Sequence, residues 1–252
     1  MVLTESRADA LALLARAAEK SRRSSVPYSR EFVRSLINPP GYPVATPPLA
    51  RLIQGGRGGE ARLKLYLLLT MMATGQPFDI RNPPTARTLA RTLELPPATG
   101  PRRITSNMRW LADNRYIALT KRQGLTPAIQ LLDPRGTGKP LRDPRHPRPY
   151  VSIPIGFWSR GWLVELSPVA IAVMFALREV LGGYKASRYV LPGRRESYGL
   201  SHDTWTRGRH ELEGAGLLKV TRVPQGEEYV YNRLRNSYWL NIEQLNDDPV
   251  DA

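Results

Sequence analysis

Two stretches of the chain place apolar residues at helical spacing and then switch to β-type alternation. In the later one, Trp205 and Leu212 share a face behind a polar cap candidate at Ser201, Gly214-Ala215-Gly216 stops the helix, and an alternating run opens at Leu217. In the earlier one, Ile104, Met108 and Leu111 follow an i, i+4, i+7 spacing ahead of the run that opens at Tyr116. A single offset of 101 residues carries Ile104 onto Trp205, Leu111 onto Leu212 and Ile117 onto Leu218. A repeat this long is a duplicated domain, since solenoid periods run to about 20–50 residues.

The apolar pattern fills in each copy. Residues 60–132 open with a strongly apolar helix through Leu63, Leu65, Tyr66, Leu68, Leu69 and Met72 that ends near Gly75. A second helix is predicted over 85–94, with Leu89 and Leu93 inward, and a third follows Pro101, where proline is tolerated in a first helical turn. Two strands over 116–122 and 128–132 make a hairpin. Residues 150–240 repeat the scheme: a strand from Tyr150, a long helix behind the Ser167-Pro168 cap and before Gly182-Gly183, a short helix near 192–199, the Ser201 helix, and strands over 217–223 and 229–240.

Around these units lie an N-terminal helix over 4–20 and a proline- and glycine-rich arm that completes residues 1–59. A linker-like stretch occupies 133–149, and an acidic tail 241–252. The arm reads as mostly irregular. The N-terminal helix has no second apolar helix beside it, so it docks on the first domain, a second protomer or a partner. The fold class expected is mainly α with small β wings, an α+β protein of two tandem domains.

Composition then narrows the chemistry. Thirty-seven Lys+Arg against 22 Asp+Glu give a formal charge of +15 over 252 residues, which favours polyanions without separating DNA from RNA or an anionic membrane. The charge is +5 over 1–59, +7 over 60–132, +3 over 133–149 and zero over 150–252, so the positive field belongs to the first copy and its flanks. Only six of these cations are Lys. Guanidinium forks suit bidentate contacts with phosphate or guanine, although GC-rich coding produces the same bias.

No cysteine means no disulfide, thiolate zinc site or thiol nucleophile. No apolar run approaches the roughly 20 residues of a membrane span, and Glu5 and Asp9 break any signal-peptide pattern at the N-terminus. A cytoplasmic, nucleoid-associated protein without membrane contact is expected. Three scattered histidines leave no metal-ligand spacing or His-x-His site, and no phosphate-loop, serine-elbow or paired-carboxylate pattern occurs, so neither catalysis nor a cofactor or metal is expected.

The binding candidates follow from the helix faces. With Ile104, Met108 and Leu111 inward, Arg102, Arg103, Thr105, Ser106 and Arg109 are predicted to face outward, and Lys121 and Arg122 to lie near the hairpin tip. In the second copy the outward set is His202, Thr204, Thr206, Arg207 and His210, with Arg233 and Arg235 on the return strand. There Asp203 neutralises the positive helix end, and Arg209 replaces the apolar Met108. The second copy is therefore a weaker DNA reader and a candidate dimer or partner surface.

The helix-then-hairpin order resembles a winged helix-turn-helix, and residues 60–132 with 150–240 resemble tandem winged-helix DNA-binding proteins found among plasmid replication initiators and bacterial regulators. Gly100-Pro101-Arg102-Arg103-Ile104, Gly161-Trp162-Leu163 and Leu200-Ser201-His202-Asp203-Thr204 are similar to phrases of actinobacterial proteins of plasmids and mobile elements. The resemblance implies sequence-specific binding of double-stranded DNA, as a transcriptional regulator or as a replication or maintenance factor. The alternative is an architectural or interaction protein whose winged helices dock a partner or self-associate.

Overall fold

The computed structural model describes residues 4–36, 45–55, 57–146, 149–183, 186–225 and 233–249. Helix α1 (Glu5–Ser21) begins where the Thr4 hydroxyl accepts from the Arg7 amide, and its Ala10, Leu14 and Ala18 stripe is buried. The arm that follows contains strand β1 (Ser25–Ser29), helix α2 (Arg30–Val33) and helix α3 (Pro48–Ile53), so among the described residues it is more regular than its composition suggests. Its prolines occupy tolerant places. Pro48 opens α3, and Pro27 lies in a two-stranded sheet whose strands are both edges.

The first unit comprises helix α4 (Arg57–Met72), strand β2 (Asp79–Ile80), helices α5 (Ala86–Thr92) and α6 (Gly100–Asp113), and strands β3 (Ile117–Arg122) and β4 (Leu125–Leu131). Helix α4 starts inside the glycine run, and position 59 requires glycine: a Cβ there would stand 2.4 Å from the Ile53 carbonyl oxygen. The second unit comprises strand β5 (Tyr150–Pro154), helices α7 (Gly156–Ser159), α8 (Trp162–Glu165) and α9 (Pro168–Leu181), strand β6 (Arg188–Tyr189), helices α10 (Pro192–Glu196) and α11 (His202–Gly214), and strands β7 (Leu218–Gln225) and β8 (Arg233–Leu240). A 3-10 turn, Ile242–Asn246, covers its base.

From α4 and from α9 onward the two units run through the same order: helix, short strand, helix, helix and hairpin. Their sheets are ordered β2-β4-β3 and β6-β8-β7, which is again the same. The end of the third helix repeats at the 101-residue offset. The Tyr116 amide donates to the Leu111 carbonyl at 2.8 Å and the Leu217 amide to the Leu212 carbonyl at 3.0 Å, while Arg115 and Gly216 just before them take φ of 61° and 71°. The molecule is thus an α+β protein with small sheets, as the patterning predicts.

The units are not tethered bodies. Strand β5 pairs antiparallel with β1 of the arm, Val26 opposite Ile153, and does not join its own unit's sheet. A chain of rings runs from one unit to the other through the arm: Phe175 of α9 meets Tyr28 at 5.0 Å, Tyr28 stacks on Phe32, Phe32 on Tyr66 of α4, and Tyr66 meets Tyr116 at 5.5 Å. Buried residues of both units form one continuous cluster. Helix α1 lies across both units. Its Arg7 pairs with Glu94 at 2.6 Å and with Glu165, and Asp9 accepts from Arg91 of α5. The unpartnered N-terminal helix of the sequence reading is therefore accounted for within the chain.

The proline-rich stretch after β4 is also packed. The Asp133 amide donates to the Lys139 carbonyl, the Leu141 amide donates to the Leu131 carbonyl, Pro134 is buried, and Leu141 rests on the core. Proline and glycine there limit regular hydrogen bonding. They do not prevent packing.

Candidate nucleic-acid interface

Helix α6 is anchored from below. Ile104, Asn107 and Leu111 are buried, and Trp110 lies under the Arg62 guanidinium, 3.7 Å from the ring centroid. Arg62 is held there by donating to the Gln54 carbonyl at 2.9 Å, and its desolvation lowers its pKa. With that face fixed, Arg102, Thr105, Ser106 and Arg109 emerge together as exposed side chains. Their spacing of i, i+3, i+4 and i+7 makes one stripe. Thr105 also donates back to the Pro101 carbonyl at 3.0 Å, and the exposed Asp113 closes the C-terminal end.

Arg103 does not belong to this stripe. One residue beyond Arg102 it is turned by about 100°, is half-buried, and lines a cavity with Glu60, Lys64 and Glu94. The expected trio of outward arginines is a pair.

The hairpin divides likewise. Lys121 is exposed near the tip. Arg122 is turned inward on the loop: its guanidinium donates to the Thr126 carbonyl at 2.8 Å and to Asn82 Oδ1 at 3.1 Å. It braces the hairpin and is less available to a phosphate than its sequence position suggests.

Helix α11 shows the same mounting with different chemistry. Ser201 caps it by accepting from the Thr204 amide, Trp205, Gly208 and Leu212 are buried, and Glu211 accepts from the Ser167 amide at 2.6 Å, tying α11 to the start of α9. The exposed positions are His202, Asp203, Arg207 and His210, whereas Thr204 and Thr206 are half-buried. Thr204 shares a hydrogen bond with Ser201 at 2.8 Å, so its hydroxyl serves the cap. Arg209 is half-buried, contacts the His210 ring, and lies 3.6 Å from Glu213. The stem of this arginine fills the place of Met108 while its head finds a carboxylate.

Of the return-strand candidates, Arg235 is half-buried with its guanidinium 5.9 Å from the Tyr189 ring centroid. Arg233 opens β8 opposite Gln225, and its side chain lies outside the described residues, as do residues 226–232, where the start of the return strand was expected. Strand β6, two residues long and not expected from the sequence, carries Tyr189 to the edge of this sheet. Two residues are too few to show alternation, and only the pairing of Arg188 with Tyr238 and of Tyr189 with Ser237 defines the strand.

The chain matches no protein-family model, no curated protein and no solved structure. Among the described residues no helix is long and apolar enough to cross a membrane, and no group of three or more His, Cys, Asp or Glu is placed to hold a metal ion.

Proposed function

We propose that the chain is a double-stranded DNA-binding protein made of two winged-helix units, in which α6 and the β3–β4 hairpin of the first unit do the reading. The single observation that carries this is the exposed stripe of Arg102, Thr105, Ser106 and Arg109 on a helix whose other side is locked into its own core. A third helix of this kind, followed by a hairpin, presents side chains suited to a major groove, with Lys121 placed for backbone phosphate. The resemblance to tandem winged-helix regulators and plasmid or mobile-element replication factors supports sequence-specific binding in that setting, a binding role and not a catalytic one. In the second unit, Asp203 offsets Arg207 on the outer face of α11, which favours that helix as a self-association or partner surface.

Selection of bound duplexes from a random pool, followed by anisotropy titrations of the recovered site, tests this. Arg102→Ala and Arg109→Ala should each weaken binding about ten-fold and together lower the salt slope by about 2. Arg207→Ala should leave affinity nearly unchanged. Wild-type affinity and slope in the Arg102/Arg109 double variant would remove α6 as the reading element.

A further inference from the structure

We propose that the outer face of the β6-β8-β7 sheet binds single-stranded nucleic acid, with bases stacked on Tyr189 and Trp239. In an antiparallel sheet, residues directly opposite share a face. The register places Trp239 opposite Lys219, Ser237 opposite both Thr221 and Tyr189, and Arg235 opposite Val223. The other face takes Leu218 and Tyr238 into the core, where Tyr238 meets Trp205. The Trp239 face therefore looks outward. On it Tyr189 is 45% and Trp239 37% exposed.

Each exposed ring has a cation beside it. Arg235 stands 5.9 Å from the Tyr189 centroid, and Lys219 is the direct cross-strand neighbour of Trp239. Strand spacing and rise put the two rings at neighbouring positions, about 8 Å apart on the sheet. Lys219 and Arg235 stand on this face and the strands β6, β7 and β8 hold no acidic residue, although residues 150–252 are neutral as a whole; Arg188 and Arg222, opposite Tyr238 and Asn236, belong to the other face. Glu227 and Glu228, between β7 and β8 in sequence, lie outside the described residues.

Ring faces paired with cations on an open sheet match the two parts of an unpaired nucleotide, a base with a free π-face and a phosphate. A duplex keeps its base faces stacked inside and has no use for them. A purely apolar partner would gain nothing from the cations. The site is separate from α6 and does not depend on duplex reading.

Anisotropy titrations of the full chain with labelled oligothymidylate and oligouridylate decide the point. Trp239→Ala should weaken binding about ten-fold, Trp239→Phe should retain most of it, and Lys219→Ala or Arg235→Ala should each lower the salt slope by about 0.7. Preference for one oligonucleotide over the other would name the natural strand as DNA or RNA. The Arg102/Arg109 double variant should bind both as the wild type does, so the two sites fail or stand separately. Equal affinity of wild type and Trp239→Ala would overturn the proposal. So would a concentration-dependent dimer, seen by sedimentation and lost in Trp239→Ala, with no change in oligonucleotide binding.

Discussion

The two units share element order and strand order yet place their charge differently. In the first, two arginines stand on the exposed stripe of the third helix, while the outer sheet face carries Asp79, Ala118, Thr120, Ala128 and Gln130. In the second, the helix stripe mixes Asp203, Arg207 and His210, and the cations and exposed rings sit on the sheet. Net charge by region hides this, because the second unit's described acidic residues lie off that sheet: Glu165, Glu196, Asp203, Glu243, Asp247 and Asp248 are exposed elsewhere, and Glu179 is internal. Glu179 of α9 has a side chain 2% exposed, and it receives Arg30 at 3.0 Å, Arg194 at 3.0 Å and the Tyr198 hydroxyl at 2.6 Å, with Arg34 at 3.3 Å. A carboxylate placed there neutralises partly buried guanidinium groups and contributes little to what a ligand meets. A duplicated scaffold can keep its topology while its ligand-facing chemistry moves from helix to sheet.

That contrast can be broken at Glu179. Glu179→Gln leaves three guanidinium groups around an uncharged amide and should lower stability by about 3 kcal/mol in urea unfolding, since removing one partner of a buried pair strands the other. A loss well under about 1 kcal/mol would mean that the carboxylate is not what balances the arginines.

Lys64 tests the boundary between the units. It lies buried on α4, donates from Nζ to the Val164 carbonyl of α8 at 3.1 Å, and burial pushes its pKa below 10.5. A base whose folded pKa is depressed binds fewer protons when folded, so its contribution to stability rises with pH between that lowered value and 10.5. Lys64→Met should therefore stabilise by about 1 kcal/mol at neutral pH, and the gap from wild type should narrow as the pH is raised towards 10. A gap that widened instead would reverse the sign assigned to Lys64.

The smallest effect is expected at Arg115, which holds a φ of 61° where the second unit has Gly216. Arg115→Gly should gain about 0.5 kcal/mol, the left-handed penalty of a side chain less the extra freedom of glycine in the unfolded state. A clear loss in thermal unfolding would show that Arg115 makes contacts which its counterpart lacks.

Much of the scaffold was legible in the sequence. The caps at Ser167 and Ser201, the buried i and i+7 positions of the third helices (Ile104 and Leu111, Trp205 and Leu212) and the 101-residue repeat lie where local pattern places them, because capping and amphipathic spacing act within a few residues. The third buried position is i+3, Asn107 and Gly208, and Met108 at i+4 is only half-buried. The candidate site was legible only in part. Periodicity made Arg102 and Arg109 outward, but it grouped Arg103 with them, and a helix wheel contains no information about Glu60 and Glu94 on neighbouring elements. Arg122 looked like a free hairpin cation until the Thr126 carbonyl and Asn82 were brought to it.

The sequence by itself determined the long helices, the paired strands that follow them and the doubling, since these follow from cap residues, apolar spacing and glycine stops along a short length of chain; the short elements of the arm and strands β2 and β6 did not show in it. Only the tertiary structure decided that β5 pairs with β1, that the arm's rings join both cores, and which cations reach solvent. The physical reason is range: side-chain exposure depends on partners far away in the chain, and composition carries no record of which partner arrives.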